Sequence, residues 1–114
     1  MDALNEKRET RAGLKAALAV SVVALSLMGN TAHAFDPIKG RQVYSTYCAG
    51  CHGLNGVPVM PGAPNFANQE RLLQPDNLLL ISIKSGKNAM PAFQGALTDN
   101  DIHDVIAFLR TLAR

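Results

Sequence analysis

Cys48-Ala49-Gly50-Cys51-His52 contains both cysteines of the 114-residue chain, with a histidine directly after the second. This C-x-x-C-H order is the attachment signal for c-type haem. Two thiols three positions apart on one helical turn can straddle a porphyrin and add across its two vinyl groups. The next residue then projects toward the centre, where an imidazole becomes the proximal iron ligand. Other uses of a cysteine pair fit less well. A thioredoxin-like C-x-x-C wants a βαβ pattern around it, and no strand-like alternation flanks this one. A structural zinc site needs four ligands; Cys48, Cys51 and His52 are three, and the only other histidines are His33 and His103.

The first 34 residues read as a secretory leader. Lys7, Arg8, Arg11 and Lys15 make a positive start, Ala16 to Met28 is uncharged and mostly apolar, and Gly29-Asn30 breaks the run. Ala32-His33-Ala34 supplies the small residues of a cleavage site. The apolar run has 13 residues, which as a helix reaches only about 20 Å against a hydrocarbon core of roughly 30 Å. Cleavage after Ala34 is therefore expected, leaving no stable membrane anchor. Without an Arg-Arg pair, the general secretory route to the periplasm is preferred to the twin-arginine one.

Phe35 to Arg114 is then a single domain of 80 residues, with seven basic and six acidic side chains. That near-neutral balance argues against nucleic acid as a partner. A chain this short is close to the size at which one hydrophobic core becomes marginal, and a bound porphyrin would supply an apolar centre.

Along this domain the punctuation is helical. Asp36-Pro37 is a favoured N-cap followed by a favoured first helical residue, so a helix is expected from Pro37 to Tyr47 or Cys48, with Val43, Tyr44 and Tyr47 inward. Gly40 lies on the Tyr44 face at i, i+4. A glycine there costs roughly 1 kcal/mol of helix propensity, which points to close approach by another backbone. Gly53 to Asn68 carries three glycines and three prolines and is expected as a loop, with a short helical turn from Gln69 to Leu73. A second helix should start near Pro75-Asp76 and run to Gly86. Its apolar residues lie nearly all round, which predicts thorough burial. Thr98 and Asp101 form a capping box for a last helix, in which Ile102, Val105, Ile106, Leu109 and Leu112 recur at helical spacing. No convincing strand appears, so the fold class is all-α, with three to four helices around one haem.

If His52 takes one axial position, Met60, Met90 and His103 compete for the other. Met60 follows His52 by only eight residues, with Pro58 and Pro61 stiffening the interval; Met90 is 38 residues away, ample to reach the opposite face. Pro91 would stiffen the loop presenting the Met90 sulfur. His103 lies off the apolar stripe and reads as a solvated helix residue. Lys84 and Lys87 could ring the haem edge or be ordinary solvated lysines.

These pieces together resemble a class I cytochrome c over nearly the whole exported chain: Cys48-Ala49-Gly50-Cys51-His52-Gly53 after an amino-terminal helix, Met90-Pro91-Ala92-Phe93 in a late loop, and a closing amphipathic helix. The resemblance implies one covalent haem c, His52 and Met90 as axial ligands, and a helix crossing made by Gly40 and Tyr44 with Val105, Leu109 or Phe108 opposite. It also implies that Pro64 supplies the carbonyl that orients His52, with Pro61 as runner-up, and that Phe66, Pro91 and Phe93 line the pocket. More narrowly, Gly56 to Phe66 and Gly86 to Pro91 resemble the small periplasmic cytochromes that accompany the cytochrome-type nitrite reductase of denitrifiers. The implied role is a monomeric electron carrier with transient periplasmic redox partners, and not itself an enzyme. An accessory part in reductase maturation, or ligand binding or peroxidase-like chemistry if Met90 is labile, are the alternatives.

Overall fold

Asp36 starts the folded chain by accepting hydrogen bonds on its carboxylate from the amides of Ile38 and Lys39. With Pro37 as the first helical residue, this opens α1 (Pro37–Tyr47). The structure, a computed structural model, describes residues Ala34–Arg114; the expected leader, apart from Ala34, lies outside the described residues. After α1 the chain turns at Cys48 into the four-residue α2 (Ala49–His52), which ends at Gly53. A 3-10 turn (Phe66–Asn68), α3 (Asp76–Ser85) and α4 (Asp99–Leu112) follow. Among the described residues there are no strands, only two isolated bridges, Lys87 with Met90 and Gln94 with Leu97.

The capping box of α4 is complete. The Asp101 amide donates to Thr98 Oγ1 at 3.1 Å and the Thr98 amide to Asp101 Oδ2 at 3.0 Å. Two of the donors a helix start leaves without partners are thereby satisfied. The buried face of α4 then serves two clusters. Val105, Phe108 and Leu109 pack with Tyr44, Ala49, Phe66 and Leu72, while Ile102 and Ile106, both 0% exposed, pack with Leu79 of α3. Each fully buried isoleucine contributes on the order of 1.5–3 kcal/mol relative to an exposed one.

At the α1–α4 crossing backbone meets backbone. A Cβ built on Gly40 would collide with the carbonyl oxygen of Asp104, so nothing larger than glycine lets the backbones approach this closely. Tyr44, one turn on, is 1% exposed, and its ring tilts against Phe108 with centroids 5.1 Å apart. Asp104 is itself buried. Its Oδ1 accepts from the Asp36 amide at 2.8 Å, and its Oδ2 lies 3.4 Å from Lys39 Nζ, so this polar group is not left unpaired.

Three expectations are corrected. Tyr47 points outward and is 51% exposed; only the Gly40–Tyr44 side of α1 faces α4. The short helical turn lies at Phe66–Asn68, not at Gln69 to Leu73. The Asn65 side chain accepts from the Asn68 amide and so starts the turn early, and Gln69 adopts a left-handed conformation that ends it. In α3 only Leu79 is fully buried, whereas Leu78 and Ile81 are exposed. This helix packs along a single seam against α4, so apolar residues on its other side are not covered by a neighbouring helix.

Candidate haem site

His52 closes α2 and is buried, 8% exposed, with its ring stacked on Phe66 at 4.7 Å and 21°. Burial pushes its pKa below the usual imidazole value, opposed in part by the Pro64 backbone. The neutral imidazole, the form that binds metals, is therefore favoured. Its Nδ1 is buried without a hydrogen bond of full geometry, and the neighbour acting on the ring is Pro64, the residue singled out for this by the resemblance.

The two cysteines are free thiols in different settings. Cys51 is exposed and Cys48 is half-buried. Burial, with the nearby Cys51 adding to it, pushes the Cys48 thiol up to about 11, so at neutral pH it is a thiol and not a thiolate metal ligand. Among the described residues, no three His, Cys, Asp or Glu side chains gather as a metal cluster.

The loop after α2 doubles back on the same segment. The Cys51 carbonyl accepts from the amides of both Val59 and Met60, at 2.9 and 3.0 Å. Met60 is therefore pinned beside the C-x-x-C-H turn, on a path that does not carry it away from His52.

Met90 sits differently. Its amide and carbonyl exchange hydrogen bonds with Lys87, at 2.9 and 3.1 Å, closing a tight reverse turn around Asn88 and Ala89. The chain then fastens to the end of α3, the Phe93 amide donating to Ile83 and the Gln94 amide to Lys84. Gly86 ends α3, as the sequence marked it, and its closeness to the Met90 turn is what the sequence did not show. Its φ is +72°, and a Cβ would lie 2.7 Å from the Ala92 amide and from the Met90 carbonyl oxygen. With ψ at 168° this is an extended positive-φ conformation that glycine alone adopts readily. The half-buried Phe93 ring meets Tyr47 edge-on at 6.3 Å. This contact joins the residue preceding Cys48 to the loop bearing Met90. Pro91, expected to line the pocket, is exposed because the reverse turn sends it outward; it stiffens the backbone beside Met90 through its fixed φ.

Gly40, Tyr44, Val105 and Leu109 come together at the α1–α4 crossing. Two further expectations change. His103 is only partly exposed, because the Phe35 ring stacks on it at 4.4 Å and 13°. Lys84 is held by Asp99 at 2.7 Å and does not extend freely into solvent.

The family model for subunit III of cbb3-type cytochrome c oxidase matches residues 36–109. The chain is 37% identical to cytochrome c6 of Thermosynechococcus vestitus over 95 residues, spanning 80% of this chain and 83% of that one. Among solved structures, the c-type cytochrome KustC0563 matches with a TM-score of 0.61 at 26% identity, over 66% of this chain and 98% of that one. Cytochrome c6 from the diatom Phaeodactylum tricornutum gives a TM-score of 0.57 at 30% identity, over 68% and 94% of the two chains. This chain belongs to the class I c-type cytochromes. The cytochrome is accordingly a haem-c electron carrier and not an enzyme in its own right. Its residues suit that cofactor: the segment offers two free thiols and a buried, neutral-favouring histidine acted on by the Pro64 backbone. Among the described residues, no helix is long and apolar enough to cross a membrane.

Proposed function

We propose that the cytochrome is an exported carrier whose single haem c would be held by Cys48 and Cys51 through thioether bonds and by His52 and Met90 as ligands to its iron. The observation that carries this reading is His52 itself. It is buried, stacked on Phe66 and biased toward the neutral form, directly after Cys51 on the short helix that Cys48 precedes.

Haem c supplies the one-electron Fe(II)/Fe(III) couple when bound. The protein's part is to hold both ligands still and to exclude water. Phe66 restricts rotation of the His52 ring, and the Pro64 carbonyl offers its Nδ1–H the acceptor that ligating histidines use to fix orientation and basicity. The Lys87–Met90 turn and its anchors on α3 hold the thioether segment. A His/Met pair raises the reduction potential relative to other ligand sets.

Processing after Ala34 would release an 80-residue periplasmic domain, working as a monomer in weak, transient contacts of small area. Its partners would be periplasmic oxidoreductases. The resemblance of the Gly56–Phe66 and Gly86–Pro91 segments supports a cytochrome-type nitrite reductase among them.

The test is a pair of methionine variants in the exported, haem-loaded protein. Met90→Ala is expected to abolish the sulfur-to-iron absorption band, lower the midpoint potential and admit carbon monoxide. Met60→Ala is expected to do none of these. A larger change from Met60→Ala would reverse the ligand assignment, and exported material with the mass of bare polypeptide would end the carrier reading.

A further inference from the structure

Tyr44 holds the C-x-x-C-H segment at both ends. Its backbone carbonyl accepts from the Cys48 amide at 2.9 Å, where the segment begins. Its hydroxyl donates to the Gly53 carbonyl at 2.6 Å, one residue past His52, in a fully buried hydrogen bond. The same ring lies against Phe108 of α4, and Gly40, one turn earlier, presses α1 onto the Asp104 carbonyl. Burial keeps the phenol protonated, its pKa pushed up to about 12. A phenylalanine would fill the same space, so packing alone does not account for a hydroxyl at a position 1% exposed. A buried phenol is tolerated where its O–H has a partner, and here the partner is the turn that carries the histidine.

We propose that Tyr44 is a positioning residue for His52: by closing the segment from Cys48 to Gly53 with its hydroxyl bond it sets the orientation of the His52 ring. The inference rests on the haem reading above and adds to it a residue that ligates nothing. The Gly53 carbonyl also accepts from the Gly56 amide at 3.1 Å. Loss of the hydroxyl therefore loosens the turn without leaving that carbonyl unpaired.

The experiment uses the full chain, exported and haem-loaded, as parent, Tyr44→Phe and Phe108→Leu. The shifts of the haem methyl protons in the oxidised protein report the orientation of the axial imidazole plane. Tyr44→Phe is expected to redistribute those shifts and move the midpoint potential while leaving helix content unchanged. Phe108→Leu, which weakens the crossing without touching the hydroxyl bond, is expected to lower the thermal midpoint and leave the methyl pattern in place. In the parent, the Tyr44 hydroxyl proton is expected to exchange slowly enough to be observed. Three results would overturn the proposal: an unchanged methyl pattern in Tyr44→Phe, the same redistribution in Phe108→Leu, or a rapidly exchanging hydroxyl in the parent. A haem-loaded parent with any of these sinks this inference alone, whereas a parent without haem sinks the carrier reading as well.

Discussion

The histidine side and the methionine side of the candidate site are built by different means. His52 stands on a segment backed by the α1–α4 crossing, where Gly40 meets the Asp104 carbonyl and Tyr44, Val105, Phe108 and Leu109 interlock. Met90 stands on a loop fixed mainly by backbone hydrogen bonds to Lys87, Ile83 and Lys84, with Pro91, Ala92 and Gln94 exposed around it. Close-packed side chains resist displacement because every shift opens a void or a clash. A backbone-pinned loop can alter locally while the helices stay in place. The contrast teaches that stability and ligand presentation are separable here: damage to the crossing should unfold the domain, and damage to the loop should change the iron environment first.

The largest expected effect tests the crossing. Gly40→Val places branched carbons against a backbone carbonyl that cannot rotate away, and should cost about 3 kcal/mol or more, read as a lower urea midpoint. Retention of parental stability would show that the helices can part cheaply. Next comes the loop. Gly86→Ala puts a side chain at φ +72° and ψ 168°, 2.7 Å from the Ala92 amide, a backbone strain of roughly 1–3 kcal/mol. Far-UV circular dichroism should keep its helical signal while the sulfur-to-iron band weakens. Equal loss of both would erase the distinction between the two sides.

The smallest effect is electrostatic and belongs to the start of α4. Hydrogen bonds from Thr98 and from Lys39 hold the Asp101 carboxyl down to about 2. A carboxylate depressed in the folded state stabilises it fully above its unfolded value near 3.8 and loses that contribution as pH falls toward 2. The thermal midpoint should therefore decline between pH 4 and pH 2, and Asp101→Asn should flatten that part of the decline. An identical slope in the variant would assign the acid sensitivity to another group.

Much of the frame was legible because its signals are local. Asp36-Pro37 and Thr98 with Asp101 mark helix starts by side-chain chemistry within three residues, and the spacing of Ile102, Val105, Ile106 and Leu109 defines one face. The C-x-x-C-H turn is legible for the same reason. What escaped depends on distant or conformational facts. The outward turn of Tyr47 and the exposure of Leu78 and Ile81 follow from how many neighbours a helix has, which composition does not encode. The early 3-10 turn depends on Asn65 capping Asn68 and on Gln69 taking a positive φ, a conformation rare enough outside glycine that no residue pattern announces it. Gly86 was readable as a helix stop, but its closeness to Ala92 was not, since that arises only once the Met90 turn folds back. The partnership of Phe35 with His103 likewise joins positions 68 residues apart.

Asp36 does two jobs within one residue, capping α1 with its carboxylate while its own amide is held by Asp104 of α4. Asp36 thus fastens the start of α1 to α4. Trimming the chain residue by residue from this end should meet a cliff at Asp36, where one deletion strips the first helix of its cap and leaves Asp104 with Lys39 as its remaining partner.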